Sequence, residues 1–459
     1  MNNRKWSQRV AITLAAVWVA SPGWADKLEF KQCVETALTQ NPDMDISRAQ
    51  IDQAEAGVRQ AQGNRLPRLN LSLTGTRSND ALNAFGMKLG QRGASFNDFG
   101  AGEFNPADLS VAPHNLNHPD AVNNFNSRIE LQVPVYNGGL VQSHIDTAKA
   151  NVRAAQSGDQ AARQQLAKNI LMAYQGVHTA RANIKVTDEA RAAAEEYVRI
   201  TEKLHKQGMV VKSDVLSAKV NLEDVKVKAI EARNAEARAL DQLAMMMGKS
   251  LEEPLDVGAP VAPALLAGND HELRRQAREN HAGLRALRNQ LEGAAAQVGA
   301  ARAGNQPQFN VMLRQDWNDS RLGLSAPAYT AAGVLSWTAF DGGVAHAGID
   351  RAEAARSELA AKLRQAEDGI AFQVTDARRE ALEAEDKVAA RAANLEQAKE
   401  AQRLIKKRYE NGMGTLVELL AAQAQLDQAN ANLVASQYEL AINRAELKRA
   451  VGVLAADTL

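Results

Sequence analysis

One cysteine in 459 residues leaves nothing to build a disulfide framework from, and aromatic side chains supply only 4% of the chain. A thick globular core is therefore not expected; Ala, Gln, Glu, Arg and Leu dominate, which suits long helices touching through small side chains. Charge of either sign is not in excess, with 54 basic and 54 acidic residues, so there is no electrostatic case for nucleic acid. Past the N-terminus no apolar run approaches the roughly 20 residues of a spanning helix, so a membrane crossing would have to use strands. Phosphate loops, dinucleotide fingerprints, Gly-x-Ser-x-Gly and His-Glu-x-x-His are all missing. Of eight histidines only His114 and His118 are close, with no third ligand evident, so neither a metal, a cofactor nor an enzyme activity is expected.

What is present begins with an export signal over residues 1–25. Arg4, Lys5 and Arg9 precede an apolar run from Val10 to Ala20, and Gly23-Trp24-Ala25 makes a small-residue cleavage site. Cys33 lies too far past that cut for lipid attachment.

The mature sequence is a tandem duplication. Gly138, Ile145, Gly208, Leu216, Leu222 and Gly248 recur as Gly342, Ile349, Gly412, Leu420, Leu426 and Gly452, at one offset of 204. Upstream, Val58, Ala61 and Pro67 recur as Val298, Ala301 and Pro307 at an offset of 240, so the first copy carries 36 extra residues between its Pro and its Gly-Gly. The copies are expected at 26–248 and 269–459, separated by a Pro- and Gly-rich linker over 249–268.

Within each copy the order is helix, strand pair, long helix, shorter helix. Residues 32–65 read helical, with a break at Asn41-Pro42 and a stop at Pro67. Leucines at 69, 71 and 73 alternate with polar residues, as do Ile129, Leu131, Val133 and Val135 with Arg128, Glu130 and Gln132. A hairpin over 68–136 is predicted, with 78–125 as a long aperiodic loop. The second hairpin, 308–339, has a short loop and a weaker second strand from Tyr329. Strands of about nine or ten residues have the length a tilted strand needs to cross a bilayer. Trp317 with Tyr329, and Trp337 with Phe340, fall near opposite edges of that hairpin, where membrane-interface rings sit. An edge hairpin on a soluble sheet satisfies the same alternation.

Helical hairpins are predicted over 140–248 and 344–453. After Gly343, small apolar residues from Ala352 to Val388 follow at spacings of three or four, and leucines 419, 426, 433, 440 and 447 form a heptad seam. The long helix covers about 68 residues, roughly 100 Å. The helices before each Pro and after each Gly-Met cover about half that, so two stacked end to end match one long helix. Four strands cannot close a barrel, for which about eight is the minimum. Three copies give twelve strands and a water-filled lumen lined by the face carrying Arg128, Glu130 and Gln132; a dimer is the alternative.

This order of features resembles the TolC-like outer membrane efflux protein family over essentially the whole mature chain. The resemblance rests on Cys33-Val-Glu-Thr-Ala-Leu-Thr-Gln-Asn-Pro, Leu66-Pro67, Pro134-Val-Tyr-Asn-Gly-Gly and Gly208-Met-Val-Val-Lys-Ser-Asp214. It implies a mostly α fold with a small transmembrane β part: a homotrimer with a 12-stranded β-barrel in outer membrane lipid, continued by a periplasmic α-helical tunnel. It also implies a tip that docks a periplasmic membrane-fusion adaptor and, through it, an inner-membrane pump of RND or ABC type. On this chain the tip maps to Gly208, Met209, Val210, Gly412 and Met413, with Asp214 and Glu418 as tunnel-mouth charges. Asp214 also reads as a helix-start residue serving backbone N–H groups. Some members carry a gate Arg and Asp where this chain has Gly414 and Ala421. The rival readings are a trimeric coiled-coil adhesin, which would gather its strands at the C-terminus, and a soluble periplasmic scaffold.

Overall fold

The computed structural model describes residues 27–455; the expected signal peptide lies outside them, as do 456–459. The first repeat runs α1 (Phe30–Gln40), α2 (Pro42–Gly63), β1 (Arg68–Ser78), α3 (Ala81–Gly90), α4 (His114–Asn117), β2 (Val122–Tyr136), α5 (Leu140–Lys206) and α6 (Lys212–Met247). The second runs α7 (Asp270–Asn280), α8 (Ala282–Ala303), β3 (Gln308–Asp319), β4 (Pro327–Ser336), α9 (Val344–Glu410) and α10 (Leu416–Val451). Both long helices have 67 residues.

One antiparallel sheet joins the two hairpins in the order β1-β2-β3-β4. Leu71, Ile129, Gln315 and Tyr329 stand in one row, and Ser72, Arg128, Asp316 and Ala328 in the next. Alternation therefore sorts the sheet into an apolar face, carrying Leu69, Leu71, Leu73, Ile129, Leu131 and Leu313, and a polar face carrying Asn70, Ser72, Arg128, Glu130, Gln132, Arg314 and Asp316. The leucines of β1 are exposed, which in water would be a liability and against lipid is not.

Below the sheet the helices form columns in the same order. α5 packs on α6 and α2 to one side and on α8 and α10 to the other, and α9 packs on α8, α7 and α10. The end-to-end stacking comes from within each repeat. The C-terminus of α6 meets the start of α2, where Asn41 Nδ2 donates to the Met246 carbonyl at 2.8 Å. A Cβ on Gly248 would lie 2.4 Å from the Gln40 carbonyl oxygen, and one on Gly452 2.8 Å from that of Asn280. The linker thus carries the chain sideways between columns: Leu28 bridges Val257, and the Tyr174 hydroxyl donates to the Ala259 carbonyl at 3.0 Å. Cys33, Tyr174, Leu171 and Leu243 are buried together at this level. The small-residue stripe of α9 faces its neighbours through Val374, Ala377, Ala381 and Ala384, and the seam of α10 packs Leu426 and Leu433 with Leu395.

Four details depart from expectation. Strand β2 starts at Val122, inside the expected 78–125 loop, which loses its last residues to a strand of 15 residues. Asn123, Asn124 and Asn126 carry little strand propensity, yet Asn124 and Asn126 both donate to Asn318 Oδ1 of β3 at 3.1 Å. Nor is the aperiodic stretch an irregular loop, since α3, α4 and two short 3₁₀ turns order it. The second hairpin ends at Ser336, short of 339, with β4 starting at Pro327. The second repeat also breaks its upstream helix, at Asn280-His281, the equivalent of Asn41 at the 240 offset. No proline marks that break; the close approach of Gly452 to the Asn280 backbone accompanies it instead.

Candidate functional site

At the end farthest from the sheet each repeat turns back through a glycine. Gly208 and Gly412 take φ of 75° and 74°, the left-handed region that only Gly adopts without strain. Both helices close alike: Met209 N donates to the Leu204 carbonyl and Met413 N to that of Arg408, each at 2.9 Å. Met209 and Met413 are exposed, and the Met209 methyl lies over Gly412, so the two turns touch. Val210 is half-buried and packs against the small core beneath them. Lys203, His205 and Lys206, and in the other turn Lys407 and Arg408, sit where cations complement the helix C-termini.

That core holds Tyr197, Leu204, Ala218, Tyr409, Leu416 and Leu419. The Tyr409 hydroxyl meets Thr201 Oγ1 at 2.8 Å, both buried, and burial raises the Tyr409 phenol above its ordinary range. Tyr197 donates to Gln423 Oε1 at 2.6 Å, and burial pushes its phenol up to about 12. These bonds tie the first repeat's turn to the second's.

The two tunnel-mouth carboxylates are placed differently. Glu418 closes a capping box on α10: Thr415 N donates to Glu418 Oε2 at 3.1 Å, and Glu418 N to Thr415 Oγ1 at 3.2 Å. Asp214 sits half-buried in the first turn of α6, whose cap residue is Val211 without a side-chain cap. The helix-start role considered for Asp214 therefore finds no cap bond here, whereas Glu418 carries such a role.

At the sheet, Trp317 is half-buried opposite Pro327, and Tyr329, on the same apolar face, is exposed. Trp337 lies just past β4 at the other end, donating Nε1–H to the Asn305 carbonyl at 3.2 Å, and Phe340 projects freely near it. On the polar face, Asp316 is 8% exposed, accepts from Arg128 Nε at 2.7 Å and forms an ion pair with Arg314, whose Nε lies 2.8 Å from its Oδ2. Sequence reading singled out Arg128 but not Asp316 or Arg314, although alternation in β3 puts both opposite the polar positions of β2. His114 and His118 lie ring to ring at 5.2 Å, and no group of three metal-ligating side chains occurs among the described residues.

A strand pair per repeat, continued by a wall of helices ending in glycine turns, defines a subunit of a membrane-spanning duct. The family model described as outer membrane efflux protein matches residues 33–249 and 273–453. The chain belongs to that family and is a protein of the Gram-negative outer membrane. It is 27% identical over 348 residues to Protein CyaE of Bordetella pertussis, covering 74% of this chain and 73% of that one. It is 21% identical over 453 residues to the toluene efflux pump outer membrane protein TtgC of Pseudomonas putida, covering 95% and 86%. Among solved structures, CusC matches with a TM-score of 0.76 at 18% identity, covering 98% of this chain and 99% of that one. The outer-membrane channel OprN matches at 0.74 and 20% identity, covering 92% and 89%.

Proposed function

We propose that three copies close a twelve-stranded barrel and a continuous helical tunnel, making a passive exit duct for efflux or type I secretion. One observation carries the reading. Sheet and helical wall are both open, and open at the same two edges: β1 follows α2 at one edge, and β4 leads into α9 at the other. Lipid leaves no strand edge unpaired, so β1 must find a β4, and that pairing brings α9 against the α2–α6 column of the next copy. The polar face then lines the bore and the leucines face lipid. The repeats at 26–248 and 269–459 contribute equivalent walls, joined by the 249–268 linker.

The glycine turns form the periplasmic mouth. Exposed Met209 and Met413, on turns held by a tyrosine-centred core, give an adaptable apolar surface for a membrane-fusion adaptor, which couples the duct to an inner-membrane pump. Asp214, whose carboxylate caps no helix, is the stronger candidate for charge facing the mouth. Trp317, Tyr329, Trp337 and Phe340 mark the lipid interfaces. Reconstitution tests the reading: protein from the outer membrane fraction should produce discrete conductance steps in a planar lipid film. A preparation that stays soluble and conducts nothing would contradict it.

A further inference from the structure

We infer that residues 79–121 form a folded lid that leans over the polar face of the sheet and narrows the extracellular mouth; this rests on the barrel reading above. The segment has its own fold. Asp80 caps α3, accepting Asn83 N–H at 2.9 Å, Phe85 packs edge-on against Phe99 at 4.4 Å, and Lys88 pairs with Asp98. Glu103 caps α4, accepting the N–H groups of His114 and Asn115.

What matters is where the end of α3 comes down. Gln91 Nε2 donates to the Asn123 carbonyl at 2.7 Å and to Asn124 Oδ1 at 2.9 Å. Asn124 is buried, and with Asn126 and Asn318 it continues the row of polar residues that faces the lumen. Arg92 then reaches past β3 to β4, donating Nη2–H to the Pro327 carbonyl at 2.6 Å. A loop that leaves β1 therefore crosses the width of the protomer on the lumen side.

Backbone conformation marks the same contact. Arg92 has φ of 54° and Ala326, next to Pro327, has φ of 45°. These are the two non-glycine residues with positive φ among the described residues, and the latch joins the side chain of one to the carbonyl of the residue after the other. Left-handed backbone is disfavoured for Arg and Ala, and such strain persists only where the surroundings impose it. At Arg92 the C-terminal turn of α3 ordinarily calls for Gly; the guanidinium that Gly lacks is the part that latches the lid. The tie is a few polar bonds, while the lid's interior is held separately, so it can be released without unfolding.

Accessibility of a cysteine beneath the lid tests this. Ser72→Cys places a thiol on the polar face opposite Arg128, deeper than Asn124, in a chain whose own Cys33 is fully buried. Intact cells are treated with a small membrane-impermeant maleimide and, separately, with a large polyethylene-glycol maleimide. Arg92→Gly with Gln91→Ala removes the latch and relieves the strained backbone, so the lid keeps its fold. Small-reagent labelling should be equal in both backgrounds, and large-reagent labelling about tenfold faster in the unlatched one. Equal large-reagent rates would overturn the lid while leaving the barrel intact. Labelling of Leu71→Cys in place of Ser72→Cys would reverse the faces, refuting barrel and lid together.

Discussion

Replacing Gly208 and Gly412 by tryptophan separates docking from folding, because the local cost can be read from the turns. At Gly208 a Cβ would meet nothing within 4 Å, so the cost is backbone strain alone, about 1–2 kcal/mol for a left-handed L-residue. At Gly412 the added atom would lie 2.4 Å from the Met209 methyl, the free end of a flexible side chain that can swing away. Against this stands a core of seven buried residues from Tyr197 to Leu419, in which Val198, Leu204, Leu416 and Leu419 each contribute about 1.5–3 kcal/mol on burial. The hairpins therefore survive, as do the sheet and helical columns far above. Each variant should reach the outer membrane as an oligomer at near wild-type level. Neither should restore growth of a deletion strain across a panel of toxic compounds that the wild-type chain does restore. Gly248→Ala is the control: its φ is also positive, at 74°, but its Cβ would strike the Gln40 carbonyl oxygen at 2.4 Å and carbon at 2.7 Å. Neither is a mobile side-chain end, so this change should lower oligomer yield. Full export by both tryptophan variants would refute the docking role of the turns.

Asp316→Asn takes the one negative charge from between Arg128 and Arg314; we expect a loss of about 1–3 kcal/mol and a reversal potential shifted toward anions. Tyr409→Phe should cost about 1 kcal/mol in thermal unfolding of the tip, and adding Thr201→Val should cost about 1 kcal/mol more, since the Thr201 hydroxyl also donates to the Tyr197 carbonyl at 2.7 Å. Burial pushes the Cys33 thiol from its ordinary 9.0 up to about 11. The folded state therefore holds a proton that the unfolded chain has released, so stability should fall as pH rises from about 9 to 11. Cys33→Ala should lack that part of the slope in a series of melting curves.

The duplication made most of this architecture legible, because matched glycines and prolines fix turn positions that periodicity alone leaves loose. Leu69, Leu71 and Leu73 alternate against lipid, and the stripe from Ala352 to Val388 declares a helix whose neighbours sit close. Segments failed to declare themselves where tertiary contact replaces propensity. The start of β2 is asparagine-rich and becomes strand only because its side chains bond across the lumen face. The break at Asn280-His281 has no proline, and only the close approach of Gly452 accompanies it. The order within 79–121 comes from local caps and one aromatic pair, which leave no period. At the tip, the glycines and methionines could be read in place, but not that Glu418 is tied into its own helix cap while Asp214 is not.

The mass of the particle extracted in mild detergent tests the central claim most directly. Edges that coincide in sheet and helices require partner chains, and the twelve-stranded barrel proposed above predicts three per particle, stable until heated and lost when β1 or β4 is disrupted. A monodisperse species of one chain, with the sheet intact, would contradict the account.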